Sequence, residues 1–141
     1  MAAVNGEEGY PRQRIELKFT RIHGQFAICK LSAGAPIPEW ALAGAFTSVS
    51  RTSDELSIVC PADNFPPDVT SASRWICLKL AGPFAFSQVG ILAAFIDPLA
   101  QNGIPIFAIS TFDTDYVLVQ EEYAAAALRA LKQAGHQLVG D

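Results

Sequence analysis

No apolar run in these 141 residues approaches the ~18 needed for a membrane-spanning helix. No Lys/Arg cluster builds a basic face. The formal charge of −4 and the pI near 5.1 argue against a nucleic-acid partner. The nearest approach is Arg12, Arg14, Lys18 and Arg21, spread over ten residues as solvated strand charge. Cysteine is sparse: Cys29, Cys60 and Cys77 are odd in number, far apart and each inside an apolar pattern. That spacing argues against a disulfide framework or a zinc site and for reduced core thiols in the cytoplasm. The two histidines, His23 and His136, border turns, and neither sits near a Ser or Cys in a nucleophile motif. There is no G-x-G-x-x-G and no Walker loop. Together these absences nominate no catalytic residue, no metal and no cofactor. Met1 to Tyr10 carries Glu7 and Glu8 without an apolar stretch, so residues 1–14 read as a mobile tail rather than a leader.

What is present is a folding composition, half hydrophobic and 17% charged. The chain also resembles itself. Val49–Val59 sets against Ile109–Val119 at an offset of 60. Each is an apolar run, a polar turn with an acid, and a second apolar run, which predicts two β-hairpins. Phe26–Leu31 likewise sets against Trp75–Leu80 at an offset of 49. The two offsets differ by 11, about three turns of helix, so the first copy has lost most of a helix that the second keeps.

The second copy, residues 71–141, reads as β-α-β-β-α-β, the ferredoxin-like split unit. Arg74–Leu80 is a strand ended by Gly82-Pro83. Val89, Leu92, Ala93, Ile96, Leu99 and Ala100 recur at helical spacing over Ser87–Asn102, with Ser87 as N-cap. Pro98 sits awkwardly in that helix, because an interior proline costs ~3 kcal/mol, and a kink or loosened last turn is expected. Ile104–Ser110 and the hairpin to Val119 follow. A helix over Glu121–Ala134 and a short strand at Gln137–Val139 complete the unit. The first copy, residues 15–70, is thinner. It has a strand Ile15–Phe19, a turn at His23-Gly24, a strand Gln25–Leu31, one short helix at Pro38–Leu42 and a hairpin over Phe46–Cys60. Pro61–Ser73 stands as a loop where a second helix belongs. The expected class is α+β: two ferredoxin-like units in tandem, the first trimmed, with antiparallel sheets and helices on one face.

Ser50-Arg51-Thr52 with Asp54–Pro61, and then Ile109–Val119, resemble the small bacterial tandem ACT-domain proteins. These are related to the regulatory ACT domains of aspartate kinase and to cytosolic arginine sensors of the CASTOR type. The resemblance spans roughly Ile15 to Val139. It implies regulatory binding of an amino acid at a domain interface, commonly in a homodimer and without catalysis. It places the ligand against Ser110, Thr111, Phe112 and Asp115, and against the loop Ser87–Ile91.

The residues themselves suit that chemistry. An amino acid needs an anion site beside an acid. Ser87-Gln88-Val89-Gly90 opens a helix whose free N–H groups suit a carboxylate, and Gly90 allows close approach. Asp113 or Asp115 suits the ammonium. Each feature also has a plain reading: Ser87 as a mere cap, Asp113-Thr114 as an ordinary turn, Phe112 as core. Asp113-Thr114-Asp115 without a nearby His makes a poor metal site. A ligand-free dimerisation module is the rival to the amino-acid sensor.

Overall fold

The structure, a computed structural model, describes residues 15–69, 73–85 and 88–140. The expected tail 1–14 lies outside them. Among the described residues, seven strands form one sheet: β1 (Lys18–Leu31), β2 (Ser48–Arg51), β3 (Leu56–Pro61), β4 (Trp75–Leu80), β5 (Phe107–Ser110), β6 (Asp115–Gln120) and β7 (Gln137–Leu138). Two helices accompany them among the same residues, α1 (Ile91–Gln101) and α2 (Ala124–Gln133). Short 3-10 turns lie at Glu39–Leu42, Ala62–Asn64 and Glu121–Tyr123.

The strand order is β2-β3-β1-β4-β6-β5, all antiparallel, with β7 parallel to the start of β1. This order reads the same from either edge when β1, β2 and β3 are matched to β4, β5 and β6. The register agrees: Phe26 faces Pro61 as Trp75 faces Gln120, and Arg51 faces Leu56 as Ser110 faces Asp115.

Adding 59 to Ser48–Arg51, Leu56–Pro61 and Ala62–Asn64 gives Phe107–Ser110, Asp115–Gln120 and Glu121–Tyr123. The hairpin offset is therefore 59 and not the 60 read from the letters. The bonding of the turns agrees. The Thr52 N–H donates to Glu55 O at 2.9 Å, and the Thr111 N–H donates to Thr114 O at 2.9 Å. Asp115 thus corresponds to Leu56, and Glu55 corresponds to Thr114. Similar polar letters one place apart in both turns disguise the slip.

Three further expectations are corrected. Lys18–Leu31 is one strand, not two strands around a turn at His23-Gly24. Ile22 faces Cys77 and Phe26 faces Trp75, so three residues oppose Ile76, and Gly24 at φ +95° takes up the extra length as a bulge. The bulge lets β1 change partners: Lys18–Phe19 lie against β7, and Phe26–Leu31 lie against β3. Helix α1 starts at Ile91 rather than near Ser87, because Gly90 at φ +81° turns the chain into it. Ser87 lies outside the described residues. A 3-10 turn precedes α2, so that helix starts at Ala124 rather than Glu121.

The near-continuous apolar letters of β4 follow from burial on both faces. Ile76, Leu78 and Leu80 pack with Phe95 and Leu99 of α1 and with Ala127 and Leu131 of α2. Trp75 and Cys77 pack with Phe26, Phe46 and Leu118. Full burial of a side chain such as Phe95 or Leu99 contributes about 1.5–3 kcal/mol. The three thiols are buried in this sheet. Burial raises the pKa of Cys29, pushes that of Cys77 up to about 12, and, with the nearby Cys29, pushes that of Cys60 up to about 11.

Candidate functional site

Strand β4 ends at Leu80, and the chain must reach the start of α1 by crossing the tip of the β5–β6 hairpin. The two are stitched together. Thr114, a buried polar residue, donates through its hydroxyl to Leu80 O at 2.8 Å. The Phe84 N–H donates to Asp113 O at 2.9 Å. Gly82 lies so close that a Cβ there would meet Asp113 O at 2.9 Å and Thr114 Cβ at 3.0 Å.

Between this loop and the hairpin lies a cleft of about 430 Å³. One wall is Phe84, Ala85, Gln88, Val89, Gly90, Ile91, Leu92 and Ala93; the other is Ser110 to Asp115. Nine of the ten residues predicted for the site therefore line one cavity, and the tenth, Ser87, lies outside the described residues. Phe84, Ala85, Leu92, Ala93 and Thr114 of the lining were missed, as was Gly82 behind it. The Gly82-Pro83 dipeptide was legible as a strand stop, but its packing on a hairpin about thirty residues away has no local sequence signature.

The chemistry of the walls is unlike. On the helix side, the first backbone N–H groups of α1 have no carbonyl within the helix to bond, and no side chain among the described residues caps them. The helix dipole adds a partial positive charge there. On the hairpin side stand two carboxylates, Asp113 and Asp115, and three hydroxyls, those of Ser110, Thr111 and Thr114. The Ser110 hydroxyl donates to Asp115 Oδ1 across the ladder and orients that carboxylate. Thr111 is committed to its turn, donating to Thr114 O at 3.1 Å. No Lys, Arg or His is among the described lining residues. The rim is apolar and open: Phe112 is 78% exposed and Val89 is 68% exposed. The arrangement can hold a small molecule with an anionic and a cationic group a few ångströms apart. Among the described residues, no group of three His, Cys, Asp or Glu is placed to hold a metal ion.

The first half differs at the matched positions. Arg51 stands where Ser110 does, and its Nη1 donates to Ala33 O in the loop after β1. Leu56 stands where Asp115 does.

Comparison with known proteins sets this geometry in context. The ACT domain family matches residues 70–133, and a second family, described only as an N-terminal domain, matches residues 24–68. A crystal structure of a protein from Agrobacterium tumefaciens is 45% identical, with a TM-score of 0.83 over 89% of this chain and 93% of that one. The cytosolic arginine sensor for mTORC1 subunit 1 of Bos taurus is 32% identical over 97 residues, which is 63% of this chain. The match spans 30% of that sensor's length. The regulatory subunit of aspartate kinase from Thermus flavus has a TM-score of 0.56 at 16% identity, over 82% of this chain and 95% of that one, and shares the fold. The family match falls on the unit that carries the cleft and leads to one conclusion: residues 70–133 of this chain belong to the ACT-domain family.

Proposed function

We propose that this protein is an amino-acid-responsive regulatory module that binds its ligand in the cleft between the β4–α1 loop and the β5–β6 turn, and that it catalyses nothing. The observation that carries this reading is the pairing of free helix N–H groups with two carboxylates across one cavity. The ligand carboxylate takes the N–H groups of α1, and its ammonium takes Asp115 or Asp113. A cavity of this size falls in the range of small-molecule sites. The excess of negative charge on the walls disfavours an acidic amino acid. A relative named as an arginine sensor makes L-arginine the first ligand to test.

We read the chain as two ACT-type units, residues 15–70 and 71–141, with the first trimmed and the helices on one face. The congruent hairpin registers support the pairing of the units. Arg51 closes the matched position in the first, so the module has one site. The name of the sensor relative supports a cytoplasmic setting, and the regulatory subunits that share the fold support assembly as a homodimer.

Thermal-shift measurements against the twenty amino acids test the reading. A ligand at 100 times its dissociation constant stabilises the fold by about 2.7 kcal/mol. A flat response to all twenty, with a dimer in solution, would instead support a ligand-free assembly module. The apolar sheet face around Trp75, Phe107, Ile109 and Tyr116 favours that second reading.

A further inference from the structure

Pro98 lies inside α1. Proline has no N–H, so the carbonyl four residues earlier, that of Ala94, loses its α-helical donor. A distant residue supplies one. His136 Nε2 lies 2.9 Å from Ala94 O. The other ring nitrogen settles the tautomer: the Leu17 backbone N–H donates to Nδ1 at 3.0 Å, so Nδ1 accepts and the ring proton sits on Nε2. The imidazole is 4% exposed and rests with its centroid 5.5 Å from that of Phe95. Ala94 is the fourth residue of α1. Its own N–H donates to Gly90 O at 2.9 Å. The three residues before it, Ile91, Leu92 and Ala93, line the cleft at the start of the helix.

We propose that His136 is a positioning residue for the cleft: its Nε2–H replaces the hydrogen bond that Pro98 removes and fixes the first turn of α1 against the C-terminal strand. The link to ligand binding rests on the amino-acid reading of the cleft; the link to Pro98 stands without it. The device makes the last segment of the chain part of the site's scaffold, although none of it lines the cavity.

Four proteins test this: wild type, His136→Phe, Pro98→Ala and the double variant. Phenylalanine keeps a ring against Phe95 and removes both hydrogen bonds. Alanine at position 98 returns an N–H to Ala94 O. His136→Phe is expected to lower the Tm by about 5–10 °C with Pro98 present and by roughly half as much in the Pro98→Ala background, since the Leu17 bond is lost in both. Equal losses in the two backgrounds would overturn the proposal.

Affinity for L-arginine, measured well below every melting temperature, is expected to fall about five- to tenfold in His136→Phe and to recover to within about twofold in the double variant. A loss without recovery would overturn the positioning role. If wild type does not bind L-arginine, the backbone amide shifts of Ile91, Leu92 and Ala93 decide instead. Displacement in His136→Phe and return in the double variant support the proposal, and no displacement refutes it. If His136→Phe fails to fold, the wild-type ring decides by nitrogen NMR. A proton on Nε2 is expected, and a proton on Nδ1 would contradict the assignment.

Discussion

Asp115 is the residue on which the ligand reading leans most. It faces Ser110 across the ladder and receives that hydroxyl, so its carboxylate is held rather than free to sweep through water. Asp115→Asn keeps the shape and removes the charge. Loss of a charge-assisted bond to an ammonium is expected to cost about 1.5–3 kcal/mol of binding, roughly a ten- to hundredfold loss, read by calorimetric titration. The Tm of the free protein should move little, as for an ordinary surface change. Glu55→Gln in the first hairpin should leave binding unchanged, because Glu55 matches Thr114 in register and its hairpin carries Arg51 in place of Ser110. Equal losses at both acids would mean a diffuse field rather than a contact. Asp115 was legible as a candidate from its place after a turn. Its partner residue was not, because a one-residue slip in the repeat aligns it with Glu55 instead of Leu56. Only the ladder fixes which letters share a rung.

At the scale of elements, the site depends on the join between the β4–α1 loop and the β5–β6 turn. Gly82→Ala tests that join. The added Cβ would sit 2.9 Å from a backbone oxygen, which has no flexible end to move aside. The loop and the turn must separate, at a cost of about 1–3 kcal/mol in stability, read by chemical denaturation. Amino-acid affinity should fall as well. An unchanged stability would show that the loop has slack. The elements themselves were largely legible: β4, both hairpins, α1 and α2 follow from periodicity and turn residues. What was not legible lies where long-range contact overrides local preference. The His23-Gly24 pair looks like a turn and forms a bulge, because β1 gains partners on both sides by running on. Pro98 looks like a flaw in α1. Its carbonyl partner is served by His136, 42 residues from Ala94 and invisible to any helical window.

For the molecule as a whole, one sheet joins both halves, so disturbances to its core are felt throughout. The buried thiols give a pH test of this. Their folded pKa values lie above the ordinary thiol value of 9.0, near 11 for Cys60 and near 12 for Cys77. Below about pH 9 both folded and unfolded thiols hold their protons and stability is unaffected. Above it the unfolded chain binds fewer protons, so stability falls as pH rises through 11 towards 12. Replacing Cys60 and Cys77 by alanine should flatten that alkaline slope in denaturation curves, even though the cavities lower stability at neutral pH. An unchanged slope would place the alkaline transition on other groups.

The most direct test of amino-acid binding in the cleft is to map the site on the ¹⁵N-labelled protein while titrating L-arginine, then whichever amino acids raise the melting temperature. Saturable amide shifts confined to Gln88–Ala93 and Ser110–Asp115 are expected, with the matched first hairpin, Arg51–Glu55, unmoved. Saturable shifts centred on the first hairpin or on the Trp75–Tyr116 face of the sheet, or no saturable shift with any amino acid, would contradict it.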